Sequence, residues 1–156
     1  MATPSAGCAG YLDPDSTQTL REALDEYYAR NSGLVDPAGL PTEVAEAFRR
    51  HDAGHVVFGC DTSLRGESLI DTWTIFGSTA GLRGYLEYFR YPQVNQIFSD
   101  AGFAKIAAGS LRALPDMLRV FARSRRLRAK WPWDGYEDRL DRPLRDLRRE
   151  FDIRIV

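Results

Sequence analysis

Apolar residues recur along most of the chain at three- and four-residue spacing, the mark of helices that turn one face to a core. Residues 1–15 are small, polar and proline-bearing, and a loose arm is expected there. In TQTLREALDEYYARN, Leu20, Leu24, Tyr27 and Tyr28 share a face, with Asp15 or Ser16 placed to cap the helix. Pro41 opens a second helix carrying Val44, Ala47, Phe48, His55 and Phe58 at near-helical spacing, and Gly59 is placed to end it. The stretch ESLIDTWTIFGSTAGLRGYLEYF predicts one helix or two, interrupted by Gly77 and Gly81, and Pro92 forces a break. Two further helices are expected over about Val94–Ala108 and Ser110–Lys130, the second with Pro115 in its first turns. A last one carries Leu140, Leu144, Leu147 and Phe151, with Pro143 near its start. Strand-like alternation is confined to the tail DIRIV. The pattern predicts an all-α fold, a single compact domain of about six or seven helices over residues 16–156.

Composition narrows the class. A chain of 156 residues, 44% hydrophobic and 28% charged, suits one ordinary globular domain with a sizeable core. A net charge of -1 argues against a nucleic-acid binder, but the charge is uneven. Residues 1–62 carry 4 basic and 10 acidic side chains, and residues 103–156 carry 14 basic and 8 acidic. The stretch RVFARSRRLRAKWPW, Arg119 to Trp133, holds six basic and no acidic residues, with Val120, Phe121 and Leu127 among them. That is the composition of a helix lying on an anionic membrane surface with tryptophan at the interface. It equally fits a solvated basic face paired with the acidic N-terminal third, or a site for a prenyl phosphate or benzoate carboxylate. Cys8 and Cys60 are too few for a disulfide scaffold, the start lacks a secretory pattern, and no segment approaches a membrane span. A cytoplasmic protein is expected, peripheral on the inner membrane face if it meets lipid, with a homodimer as an open option.

The chemistry concentrates in HDAGHVVFGCDTSLRGE, which holds both histidines of the chain. His51 and His55 are four residues apart, so on a helix both imidazoles project from one face. Asp52 lies about 100° round from His51, which a carboxylate partly recovers. With a stop at Gly59 and a turn, an adjacent antiparallel helix would let Glu67 face back toward them. Two imidazoles and a carboxylate, with Asp52 as a further oxygen, suit zinc and also iron or manganese. The competing reading is two hydrogen-bonded core histidines. The zinc-peptidase pattern has glutamate after the first histidine, and Asp52 is one methylene shorter and would reach a zinc-bound water poorly, which argues against a peptidase.

The spacing His51-Asp52-Ala53-Gly54-His55, eleven residues, then Glu67 resembles the HDxxH-x11-E motif of the Coq-four family of ubiquinone (coenzyme Q) biosynthesis. The pair Gly66-Glu67 and the ending YEDRLDRPLRDLRREFDIRI are also similar, and the likeness runs from about Leu40 to the end. The resemblance implies an all-α fold and zinc, or another divalent metal, bound by His51, Asp52, His55 and Glu67. It implies a role on prenylated benzoquinone precursors, together with other quinone-biosynthesis proteins and the membrane face. That role is either catalytic, by oxidative decarboxylation at ring C1, or that of a non-catalytic prenyl-lipid-binding scaffold with a structural metal. The chain departs from the family at Ala53 and Gly54, where members carry bulky apolar residues. Leu69, Ile70, Trp73, Ile75, Phe76, Leu82, Tyr85, Leu86 and Phe89 would then be ordinary core or the wall of a channel for a prenyl tail.

Overall fold

A computed structural model describes residues 8–35 and 37–156. Among these there are seven α-helices and no strand. They are α1 (Leu20–Arg30), α2 (Thr42–Phe58), α3 (Leu64–Gly77), α4 (Gly81–Tyr88), α5 (Pro92–Ala101), α6 (Phe103–Ser124) and α7 (Leu144–Phe151). The all-α expectation holds, and the tail DIRIV forms no strand.

Residues 1–7 of the expected arm lie outside the described residues, but the arm is not loose throughout. Tyr11 is buried within a short 3-10 turn, Gly10–Leu12, and stacks edge-on against Tyr27. Its anchor is Arg148 of α7, whose guanidinium donates to the carbonyls of Tyr11 (2.6 Å) and Asp13 (2.6 Å) and to those of Val56 and Val57 (both 2.9 Å) at the end of α2. Burial lowers the pKa of Arg148 to about 10, so it stays charged, and the carbonyls replace its water.

The α1 cap is Thr19 rather than Asp15 or Ser16. Thr19 and Glu22 form a reciprocal capping box, with Thr19 N–H donating to Glu22 Oε2 at 2.8 Å and Glu22 N–H to Thr19 Oγ1 at 3.2 Å. The backbone before it is otherwise engaged. The Gln18 carbonyl accepts from Leu144 N–H and the Ser16 carbonyl from Arg145 N–H, tying the start of the fold to α7.

Pro41 precedes α2 as expected, and Gly59 ends it with φ 64°. The start of α3 comes earlier than Glu67: Ser63 caps it by accepting from Gly66 N–H at 3.1 Å, which places Glu67 in the first turn. The break expected between residues 108 and 110 falls at Gly102, whose φ of 82° favours glycine. Pro115 therefore lies inside α6, not in its first turns. The carbonyl it deprives belongs to Leu111, and both residues are exposed, so water can replace the lost bond. The helix stops at Ser124, not Lys130, where Ser124 Oγ donates to the Phe121 carbonyl at 2.7 Å.

The main core joins α1, α2, α3 and α7 through Leu20, Tyr27, Val57, Phe58, Ile70, Trp73, Leu144 and Leu147, with Phe58 stacked on Trp73 at 4.6 Å. A smaller cluster of Val44, Phe48 and Val94, flanked by Tyr88 and Phe89, ties α2 to α4 and α5. Trp131 belongs to the main core, 1% exposed and edge-on to Phe151. The expected helix over Arg119–Trp133 with tryptophan at a lipid interface is thus replaced by a helix end and an inward-turned indole.

Candidate metal centre

Helix α2 brings His51 and His55 one turn apart, with ring centroids 4.7 Å from one another. The first turn of α3 delivers Glu67 to the same point. Glu67 Oε1 lies 3.4 Å from His55 Nε2, and Glu67 Oε2 lies 3.9 Å from His51 Nε2. Each of the three offers a ligand atom within 4.8 Å of the others, so His51, His55 and Glu67 could hold a metal ion.

The imidazoles are held from behind. His51 stacks on Tyr88 of α4 with rings 10° from parallel, and His55 stacks on Tyr27 of α1. After Gly59 reverses the chain, the Cys60 carbonyl accepts from His55 Nδ1 at 3.1 Å. A carbonyl only accepts, so Nδ1 carries the proton and the lone pair of neutral His55 is on Nε2, turned toward Glu67. That Nε2 is fully buried and makes no hydrogen bond. A buried polar nitrogen without a partner costs about 1–3 kcal/mol, an expense that a metal bond would remove. This is the observation by which the residues fit a cation.

Asp52 is buried but not turned to the same point. Its Oδ2 accepts from Tyr28 Oη at 3.2 Å, and it lines the cavity beside the three-residue group. The three ligands stand together, and the fourth expected one is engaged with α1.

The charges follow from burial. Desolvation, aided by the neighbouring His55, lowers His51 to about 4, so it is neutral. For His55 desolvation acts downward too, but the Glu67 carboxylate outweighs it and raises its pKa. Glu67 is pushed up by burial and pulled further down by the two histidines, ending below the usual carboxylate range.

The group faces a cavity of about 310 Å³. Its polar side is formed by His51, Asp52, Glu67, Ser68, Asp71 and Ser110, and its apolar side by Leu34, Val35, Phe48, Phe89, Val94 and Ile106, with Tyr27 and Tyr88 between. Among the described residues no lysine or arginine lines it, so the expected basic grip on a phosphate or carboxylate is not built there. Of the residues expected to wall a prenyl channel, only Phe89 lines the cavity. Leu69, Ile70 and Trp73 are core, and Phe76, Leu82 and Leu86 are exposed.

Sequence reasoning passed over Asp71. It sits four residues after Glu67, on the same face of α3, and its Oδ2 accepts from Tyr85 Oη at 3.1 Å. Burial first, then the Glu67 charge, raise it to about 7. The signal was present as a second carboxylate at helical spacing in ESLID.

The local glycines explain the geometry. A Cβ on Gly66 would lie 2.0 Å from the Asp61 carbonyl oxygen, so only glycine lets α3 start this tightly and aim Glu67 inward. At Gly54 a Cβ would meet Ile70 at 2.9 Å and Trp133 at 3.5 Å. Those two side chains occupy the volume that the bulky residues of the resembled family would fill. No family model, curated protein or solved structure matches the chain.

Proposed function

We propose that this is a metal-dependent protein of isoprenoid-quinone biosynthesis, similar to the Coq-four family, which takes a prenylated benzoquinone precursor into the cavity beside His51, His55 and Glu67. The observation that carries the reading is the convergence of these three ligands, one with a buried unpartnered nitrogen, on the polar side of a largely apolar cavity. The volume suits a substituted ring and the start of a tail. A divalent ion there would supply Lewis acidity toward a ring hydroxyl or carboxylate oxygen, and among the described residues no lysine or arginine lines the cavity to do so.

The chain's own residues account for the rest. Tyr27 and Tyr88 back the imidazoles and present aromatic surface toward a bound ring. Asp71, held by Tyr85 and lining the cavity, would exchange a proton with a ring hydroxyl. Three ligands and an adjoining cavity favour a catalytic over a structural metal, since structural zinc is closed by four protein ligands. The reaction proposed is oxidative decarboxylation at ring C1, in which the carboxylate leaves as carbon dioxide, a hydroxyl from water takes its place, and dioxygen accepts the two electrons and two protons to become hydrogen peroxide, since zinc changes no redox state. Asp52 takes a supporting place, orienting the ligand helix through Tyr28.

The test is elemental analysis of the purified protein and of His51→Ala, His55→Ala and Glu67→Ala, with turnover of a prenylated hydroxybenzoate by the loaded protein. Stoichiometric metal in the wild type, reduced by about 100-fold in affinity in each variant, is expected. Wild type that cannot be loaded overturns the centre. Loading without turnover, with co-purifying prenyl lipid, favours the scaffold reading.

A further inference from the structure

His55 is tied to the turn after its helix by a two-way link. Its carbonyl accepts from Cys60 N–H at 2.8 Å, and its Nδ1–H donates to the Cys60 carbonyl at 3.1 Å. The first bond is the usual closure of a helix that ends in a left-handed glycine, here Gly59. The second decides which ring nitrogen holds the proton. Glu67 Oε1, 3.4 Å from Nε2, competes for that proton. With the proton on Nδ1, Nε2 offers its lone pair to a cation. With the proton on Nε2, His55 would donate to Glu67, and that nitrogen would bind no metal. Tyr27 stacks on the imidazole and so fixes its plane, but a ring face does not choose between the two nitrogens. The choice rests on where the Cys60 carbonyl stands.

The side chain that bears on this turn comes from beyond α7. The chain leaves α7 through Asp152, φ 55°, and Ile153 N–H donates to the Arg148 carbonyl at 2.7 Å. Ile153 is buried, and Ile155 packs against the main core. A Cβ on Gly59 would meet Ile155 Cγ2 at 2.9 Å, Cδ1 at 3.0 Å and Cβ at 3.1 Å, its three nearest neighbours. Ile155 therefore fills the place that a side chain at position 59 would take. Arg123 of α6 holds the isoleucine there, donating to the carbonyls of Arg154 at 3.0 Å and of Ile155. Arg148 grips the carbonyls of Val56 and Val57 just before the turn, and Ile155 covers the turn itself.

We infer that Ile155 is a positioning residue for His55: by bearing on Gly59 it keeps the Cys60 carbonyl on Nδ1 and leaves Nε2 open to a cation. The purpose of the arrangement rests on the metal reading above, but its geometry does not, because the tautomer exists without the ion.

The test is long-range proton–nitrogen correlation NMR of the metal-free full chain at alkaline pH, where the imidazoles are neutral, together with zinc titration. Wild type should hold the His55 proton on Nδ1. Ile155→Ala should move a measurable share of His55 to the Nε2–H form and weaken zinc binding by about 10-fold, with unchanged circular dichroism. His51, held by Tyr88 rather than by the turn, is the internal reference. Ile155→Val keeps Cβ and Cγ2 against Gly59 and should restore both readouts. Arg123→Gln frees the backbone of Arg154 and Ile155, should give a smaller change in the same direction, and carries the test if Ile155→Ala does not fold. A His55 proton that stays on Nδ1 in both Ile155→Ala and Arg123→Gln overturns the inference, as does a wild type with that proton on Nε2. A tautomer that shifts on substitution in a protein that cannot be loaded with zinc would overturn the metal reading and uphold the positioning, so the two failures are read separately.

Discussion

Helices α2 and α6 break the same rule in opposite directions. α2 turns His51, Asp52 and His55 inward, and α6 turns Leu111, Leu114, Leu118 and Phe121 outward. Polar groups inside need partners, and apolar rows outside need a reason. On α2 the inward polar groups are held by Tyr28 for Asp52 and by the Cys60 carbonyl for His55 Nδ1, and His55 Nε2 is left unpaired 3.4 Å from Glu67. On α6 the leucines stand 45–72% exposed. Both helices show the same amphipathic period in sequence. The period says which residues share a face and not what the face meets.

The largest expected effect breaks the α2 side. Arg148→Met removes a buried charge and strands four carbonyls, two of them on α2, and should cost about 3–5 kcal/mol in urea unfolding. Next, Gly66→Ala forces the Asp61 loop away from the start of α3 and swings Glu67 with it. A cost of about 1–3 kcal/mol and a metal affinity weaker by about 10-fold or more are expected, read by unfolding and by titration, although no ligand has been removed.

A third test concerns Asp71, raised to about 7 from an ordinary 3.8. As pH rises from 3.8 to about 7 the unfolded chain has already lost this proton while the folded chain keeps it, so stability falls across that window and stays lowered above it. Asn has no proton to lose. In chelated protein, Asp71→Asn should therefore melt roughly 2–6 °C higher than wild type above about pH 8, with the gap closing toward pH 4. The smallest effect sharpens the α6 side. Leu111→Ser/Leu118→Ser should change stability in lipid-free buffer by less than about 0.5 kcal/mol per site, because neither side chain is packed. A loss of about 2 kcal/mol or more would place the stripe in the core and remove the contrast.

Much of the centre was legible. Two histidines at i and i+4, a glycine stop and a glutamate after a turn are local signals, and helix geometry converts them directly into proximity. Asp52 was drawn into the ligand set by adjacency in sequence, and the tyrosine of α1 that holds it is 24 residues away. The same distance problem hid the Arg148 contacts and the Thr19 cap. Trp131 was read as interfacial because arginines surround it in sequence, yet its N–H and carbonyl pair with Gly77 and Thr79, which draws the indole inward. Pro115 was expected near a helix start, the usual place for proline. The structure puts it mid-helix where exposure makes the lost bond inexpensive.

The grip of Arg148 on the end of α2 also sets a clock. It fastens carbonyls adjacent to His55 from 91 and 92 residues further along the chain. During synthesis both histidines and Glu67 emerge long before residue 148, so the ligand helix is complete in sequence while its clamp is still unmade. Capture of an ion should consequently be one of the last events of folding, after α7 has docked, rather than a seed around which the helices gather.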